Sequence, residues 1–223
     1  MTGKLRTEQP IHTEIAQHES GWWLPAQVGG SFEKWKRQAE EHIDAALEYV
    51  KCRDVVVQAG AHVGIWPLQL SALFKRVYTF EADEVNFRCA ALNIDDDSVI
   101  LIKAALGAKC GTLPWYRSLS NTGKHRPNEL GRGKHAGTVD VVTIDSLDLP
   151  ALDFLALDIE GYEQAALKGG TATIEKYRPV VLIEDMPHAP WHGFALGGAQ
   201  RWLEARDYRL ATRVDDDQIW VPK

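Results

Sequence analysis

The stretch Asp54–Trp66, DVVVQAGAHVGIW, constrains this chain more than any other. Val55, Val56 and Val57 are β-branched and apolar without a break, the pattern of a strand buried on both faces. Gly60 and Gly64 bracket a short turn, and an apolar segment of helical period starts at Ile65. Buried strand, glycine turn and helix make the opening unit of an open α/β sheet, where ligands bind at the carboxyl ends of the strands. Gly60 lets a ligand approach the backbone with no Cβ in the way. Gly64 lets the helix pack close to the strand. With Ala61, His62 and Val63 between the two glycines, the turn is not GxGxxG.

The 223 residues suit one α/β domain, read as 31–223, preceded by a polar arm over 1–30. A net charge of −6 and a pI near 5.8 give no basic footprint for nucleic acid. No apolar run approaches the ~20 residues of a membrane helix, and the N-terminus lacks a signal-peptide core. Three scattered cysteines, Cys52, Cys89 and Cys110, fit a reducing compartment. The expectation is a cytoplasmic protein. Of the eight tryptophans, Trp22, Trp23 and Trp191 are candidates for a substrate mouth.

Gly21–Pro25 is an apolar patch expected to cover one edge of the domain. Ser31 is a candidate N-cap for a helix running to about Lys51, whose apolar stripe (Trp35, Ala39, Ile43, Ala46, Leu47, Val50) marks it as scaffold. The first strand is Asp54–Gln58. The second, Val77–Glu81, ends in an acid, and Asp83 caps the next helix. Val99–Lys103 is the third. From Lys109 to Val142, the extended pieces TLPWYR and TVDVVTID flank a glycine-rich loop, 118–137, which reads as a small antiparallel insertion. Buried strands follow at Asp153–Asp158 and Val180–Glu184, then a helix, then an antiparallel pair at Tyr208–Arg213 and Gln218–Val221.

Parallel strands bring the glycine turn, Glu81, Asp158 with Glu160, and Glu184 to one edge of the sheet. A carboxylate ending the second strand can accept two hydrogen bonds from a ribose diol. NAD and S-adenosylmethionine both carry one. A pyrophosphate needs N–H groups aimed at it, normally from GxGxxG. A methionine tail has no phosphate, and the looser turn favours S-adenosylmethionine.

These segments resemble the FkbM-type methyltransferases, S-adenosylmethionine-dependent enzymes of class I. The resemblance rests on Val55–Trp66, YTFEAD (Tyr78–Asp83), VILIKAALG (Val99–Gly107), VDVVTIDSL (Val139–Leu147), LDIEGYEQAALKGG (Leu157–Gly170) and RPVVLIE (Arg178–Glu184). It implies a Rossmann-like α/β fold with a mostly parallel central sheet, a C-terminal antiparallel strand pair and helices on both faces. It also implies cofactor roles. Gly60, Ala61, His62 and Gly64 would line the methionine portion, Glu81 would hold the ribose, and Ala82, Ala104 and Ala105 would border the adenine. Asp158 would face the ammonium or the transfer centre. The family usually has an acid where Gln58 stands and often Asn where His62 stands. Gln58 can still offer its carbonyl oxygen to an ammonium, without charge.

The activity implied is O-methyl transfer to a hydroxyl of a sugar, glycan or small metabolite, an acceptor class that comes from the resemblance alone. Asp158, Glu160, Glu184 and His188 are the candidate catalytic groups, with His188 or His192 the better base near neutral pH. Magnesium on Asp158, Glu184 and Asp185 is a disfavoured alternative, so no metal is assigned. A non-catalytic cofactor-binding subunit, kept open by Gln58, and an NAD enzyme are the competing readings. A homo-oligomer is compatible with the sequence.

Overall fold

The computed structural model describes residues 14–26, 32–118, 134–184 and 187–223. In chain order its strands and helices are β1 (Ile15–Gln17), β2 (Trp23–Pro25), α1 (Phe32–Leu47), β3 (Val55–Ala59), α2 (Ile65–Ser71), β4 (Arg76–Phe80), α3 (Glu84–Asn93), β5 (Val99–Ile102), β6 (Ala105–Leu106), β7 (Gly111–Arg117), β8 (Lys134–Val142), β9 (Phe154–Leu157), α4 (Glu163–Gly169), α5 (Thr171–Tyr177), β10 (Val180–Glu184), α6 (Gly198–Glu204), β11 (Tyr208–Val214) and β12 (Asp217–Pro222).

Seven strands form the central sheet in the order β11-β12-β10-β9-β3-β4-β5. β3 pairs in parallel with β4 on one side and β9 on the other, so the strand order reverses at β3. β12 runs antiparallel to both β10 and β11. This is the mostly parallel sheet with a terminal antiparallel pair that the sequence predicts. Every residue of β3 is buried, as its valine run requires. Val55, Val57 and Ala59 pack towards the side of α4, α5 and α6, through Ala166, Leu167, Ile174 and Leu203. Val56 packs towards Ile43, Ala46 and Leu70 of α1 and α2.

Local chemistry fixes the element ends. Both Val85 N and Asn86 N donate to Asp83 Oδ1, which caps α3. Gly169 and Gly170 divide α4 from α5. Asp153 accepts from the N–H groups of Asp54 and Val55, tying the starts of β3 and β9 together.

Two regions are richer than expected. β1 and β2 form a hairpin whose Leu24 packs with Phe32, Val63, Ile65 and Cys89. The side chain of Asn93 accepts from Trp23 N and donates to the carbonyls of Trp23 and Val63, clamping this hairpin to the glycine turn. The insertion is a three-stranded sheet: β7 pairs antiparallel with β8 as expected, and β6 adds a parallel strand on the far side of β8. Ser31, Asp185, most of the 118–137 loop and most of the 1–30 arm lie outside the described residues. Among the described residues no helix is long and apolar enough to cross a membrane.

Candidate functional site

A cavity of about 300 Å³ opens over the adjoining ends of β3 and β9, at the carboxyl edge of the sheet. Its floor is Ala59, Gly60 and Ala61 from the glycine turn and Asp158–Glu160 from the end of β9. The two strand ends come so close that a Cβ on Gly60 would lie 2.0 Å from the carbonyl oxygen of Asp158, and Gly60 has φ +91°. Only glycine satisfies both conditions. Gly64 (φ +100°) does not reach the cavity wall; it faces Ala90 of α3 and Ile94 just beyond the end of α3, and serves helix packing.

The turn consumes its own N–H groups. Gly60 N and Ala61 N both donate to the carbonyl of Phe80, and Gly64 N donates to that of Ala61. His62 N donates to Glu81 Oε2 at 2.7 Å, while Asp83 N donates to Glu81 Oε1 at 2.8 Å. Glu81 thus stands fixed at the cavity wall with lone-pair capacity left on each oxygen. Burial pushes its carboxyl up to about 8, against the pull of those backbone donors. Ala82, Ala104 and Ala105 continue the wall beyond it, joined by Asn86 and Trp115.

The other half of the cavity is acidic. Asp158 is exposed at the mouth, and Glu160, Glu184, Asp215, Asp216 and Asp217 line the same space. No lysine or arginine lines it among the described residues. Glu184 Oε2 is buried with no hydrogen-bond partner among them. Burial, then repulsion from Asp158, Glu160, Glu163 and Asp217, raises the Glu184 carboxyl far above the usual range. Glu184 stands opposite Asp217 in the β10–β12 register.

Asp217 in turn holds His42. Its Oδ2 is 2.6 Å from His42 Nδ1, and Asp215 Oδ2 is 3.3 Å from Nε2. Burial lowers the imidazole pKa, yet the two aspartates outweigh it and the net shift is upward. Helix α1 therefore does more than support the sheet. It sends Trp35, Gln38 and His42 into the cavity wall, and Trp35 meets the His62 ring edge-on at 5.0 Å. Trp66 completes the wall, 6.5 Å from His42 between ring centroids.

The structure gathers Gly60, Ala61, His62, Glu81, Ala82, Ala104, Ala105, Asp158, Glu160 and Glu184 around one space. It leaves out Gln58, Gly64 and His188. Gln58 sits on the Val56 face of β3, 1 % exposed, with its carbonyl oxygen taken by the Thr79 hydroxyl across the ladder. It is therefore not offered to an ammonium. His188 is buried behind Glu160, with Nδ1 2.9 Å from Glu160 Oε2 and its ring stacked on Trp191 at 4.1 Å. His192 Nε2 donates to the carbonyl of Glu160. Together these two histidines brace the Glu160–Gly161 turn, where both residues have positive φ. Trp22, Trp23 and Trp191 stay outside the cavity wall; Trp35, Trp66 and Trp115 hold the places expected of them. Among the described residues no three His, Cys, Asp or Glu side chains are grouped to hold a metal ion.

A protein-family model described as the methyltransferase FkbM domain matches residues 58–210, more than half the chain. The fold is similar to methyltransferase FkbM from Methylobacillus flagellatus KT, at 20% identity over 76% of this chain and 43% of that one, with a TM-score of 0.50. It is similar to the ribosomal protein L11 methylase of Lactobacillus delbrueckii subsp. bulgaricus, at 13% identity over 88% and 81% of the two chains, TM-score 0.51. The magnesium protoporphyrin IX methyltransferase of Synechocystis PCC 6803, solved with bound SAM, aligns at 12% identity over 89% and 86%, TM-score 0.50. At such identities the likeness is one of fold, that of the Rossmann-like class I methyltransferases. The chain spans under half the length of the Methylobacillus protein. No curated protein matches it.

Proposed function

From the premise that this chain belongs to the FkbM methyltransferase family, we propose that it binds S-adenosylmethionine in the β3–β9 cavity and transfers its methyl group to a hydroxyl of a sugar, glycan or small metabolite. The observation that carries this reading is the junction of Gly60, Glu81 and Asp158 at one cavity, where the strand order reverses.

The residues fit the cofactor. Glu81, held by two backbone donors, keeps an acceptor site on each oxygen for a ribose diol, and those new donors would favour its charged form. Ala82, Ala104 and Ala105 offer a small apolar wall for adenine, and Asp158 supplies the charge for the methionine ammonium. The NAD reading is weaker, because Gly60, Ala61, His62 and Gly64 have no N–H left for a pyrophosphate. When bound, the sulfonium supplies an activated methyl group.

What remains for the chain is to orient the acceptor and take its proton. Trp35 and Trp66 would flank the acceptor, and a wall with seven acids and no lysine or arginine selects a neutral or cationic one over an anion. His42 is the proton acceptor in this reading. Asp217 holds its Nδ1, and a proton gained at Nε2 is stabilised by both aspartates. A magnesium ion is not needed for any of these roles.

The test is a screen for transfer of a labelled methyl group from S-adenosylmethionine to fractions of a cell extract and to a panel of sugars, with mass spectrometry of the products. The reading expects a methylated hydroxyl and a rate that rises with pH through a His42 pKa above its ordinary value. Methylation of nitrogen or carbon alone would overturn the O-transfer assignment. A protein that binds the cofactor and never turns it over would return the non-catalytic reading.

A further inference from the structure

Trp115 belongs to the inserted three-stranded sheet, outside the central sheet and its crossover helices, yet it lines the cavity together with Ala82, Asn86 and Ala104–Leu106. Four observations hold it there. Its Nε1 donates to Asp83 Oδ2 at 3.2 Å. The same oxygen takes Arg117 Nε, from the same face of β7, while the other oxygen of Asp83 caps α3. Asp83 is fully buried, Trp115 is 8 % exposed and Arg117 9 %. Finally, the β7–β8 register shifts between Pro114 and Tyr116, so two residues of β8, among them Gly137 at φ +105°, face Trp115. A bulge of this kind re-aims a side chain beside a site. Pro114 is tolerated because β7 is an edge strand.

Resting on the cofactor reading above, we infer that Trp115 is the aromatic platform for the adenine ring, held in place by Asp83 and Arg117, and that the inserted sheet exists in part to deliver it. Ala82, Ala104 and Ala105 are too small to stack on a purine by themselves, and the indole supplies the extended face that a base prefers. Asn86, at the first turn of the helix Asp83 caps, adds an amide with the donor and acceptor that an adenine edge presents in complement. Asp83 thus joins two tasks: one oxygen sets the start of α3 and hence Asn86, the other sets Trp115.

The probe is S-adenosylhomocysteine. Calorimetry should show that Trp115→Ala weakens its binding roughly tenfold to a hundredfold, as loss of one base-stacking partner does. Trp115→Phe, which keeps a stacking ring, should bind within a few-fold of the wild type, guarding against a folding defect in the alanine variant. Intermolecular NOEs from adenine H2 and H8 to indole protons should appear in the wild type and vanish in Trp115→Phe, a signal no purely structural role would give. Binding of Trp115→Ala within twofold of the wild type, or wild-type binding without those NOEs, overturns the platform while leaving the cofactor reading intact. Failure of the wild type to bind S-adenosylhomocysteine overturns both.

Discussion

Glu163 shows how one residue's chemistry is set by its neighbours. It stands at the start of α4, 4 % exposed, and its Oε1 accepts from both Ile159 N and Gly161 N. Those two bonds shape the turn that carries Glu160 into the cavity. Burial raises its carboxyl to about 7. A carboxyl raised in the fold stabilises the protein when protonated, below its unfolded value of 4.5, and that contribution is lost as the pH climbs through about 7. Glu163→Gln keeps an oxygen for both backbone donors and removes the ionisation. Its thermal stability should match the wild type near pH 4.5 and exceed it at pH 8 by roughly 3 kcal/mol. Parallel stability curves for the two proteins across that range would contradict the assignment. Glu81 remains in both proteins, and Glu184, whose carboxyl Glu163 also repels, is relieved in the same direction and adds to the gain at high pH.

At the scale of elements, the site depends on how closely β3 and β9 end beside each other. Gly60→Ala places a Cβ against the Asp158 carbonyl at a left-handed φ. The φ alone costs about 1–2 kcal/mol, and the overlap adds to it. Denaturant unfolding should show a loss of at least about 2 kcal/mol; an unchanged midpoint would mean that the strand ends are farther apart than described. This half of the site was legible in the chain because its signals are local. A valine run, a glycine turn and an acid at a strand end are read within a few residues, and parallel pairing does the rest. The other half was not. His42 and Asp217 meet across 175 positions, and nothing in the apolar stripe of α1 says that its histidine lies over the end of β10 instead of inside the core. Trp115 is aimed by a bulge in an insertion, again without a periodic signature. Gln58 misled for the opposite reason: it stands near a strand end, but the pleat turns it to the Val56 face, where Thr79 is directly opposite. His188 misled because loop position says nothing of which way a ring is turned, and Glu160 and Trp191 turn it inward.

Over the whole molecule, three layers converge on one cavity. The sheet supplies the floor, helix α1 and the β11–β12 turn supply an acidic wall with His42, and the inserted sheet closes the far end with Trp115. The family match and the fold agree with that division, since residues 58–210 contain the whole floor and the inserted sheet, while α1 and Asp215–Asp217 fall outside the matched span. The glycine turn, Glu81, Asp158 and Trp115 thus lie within the span matched by the family model, and His42 with Asp215–Asp217 lie outside it. The most direct measurement is a calorimetric titration of S-adenosylmethionine into wild type and Glu81→Ala. One binding site per chain is expected in the wild type, with a loss of affinity of at least about tenfold in the variant, as follows when charge-assisted hydrogen bonds to the ribose are removed. Absence of binding to the wild type, or equal affinity in the two proteins, would contradict it.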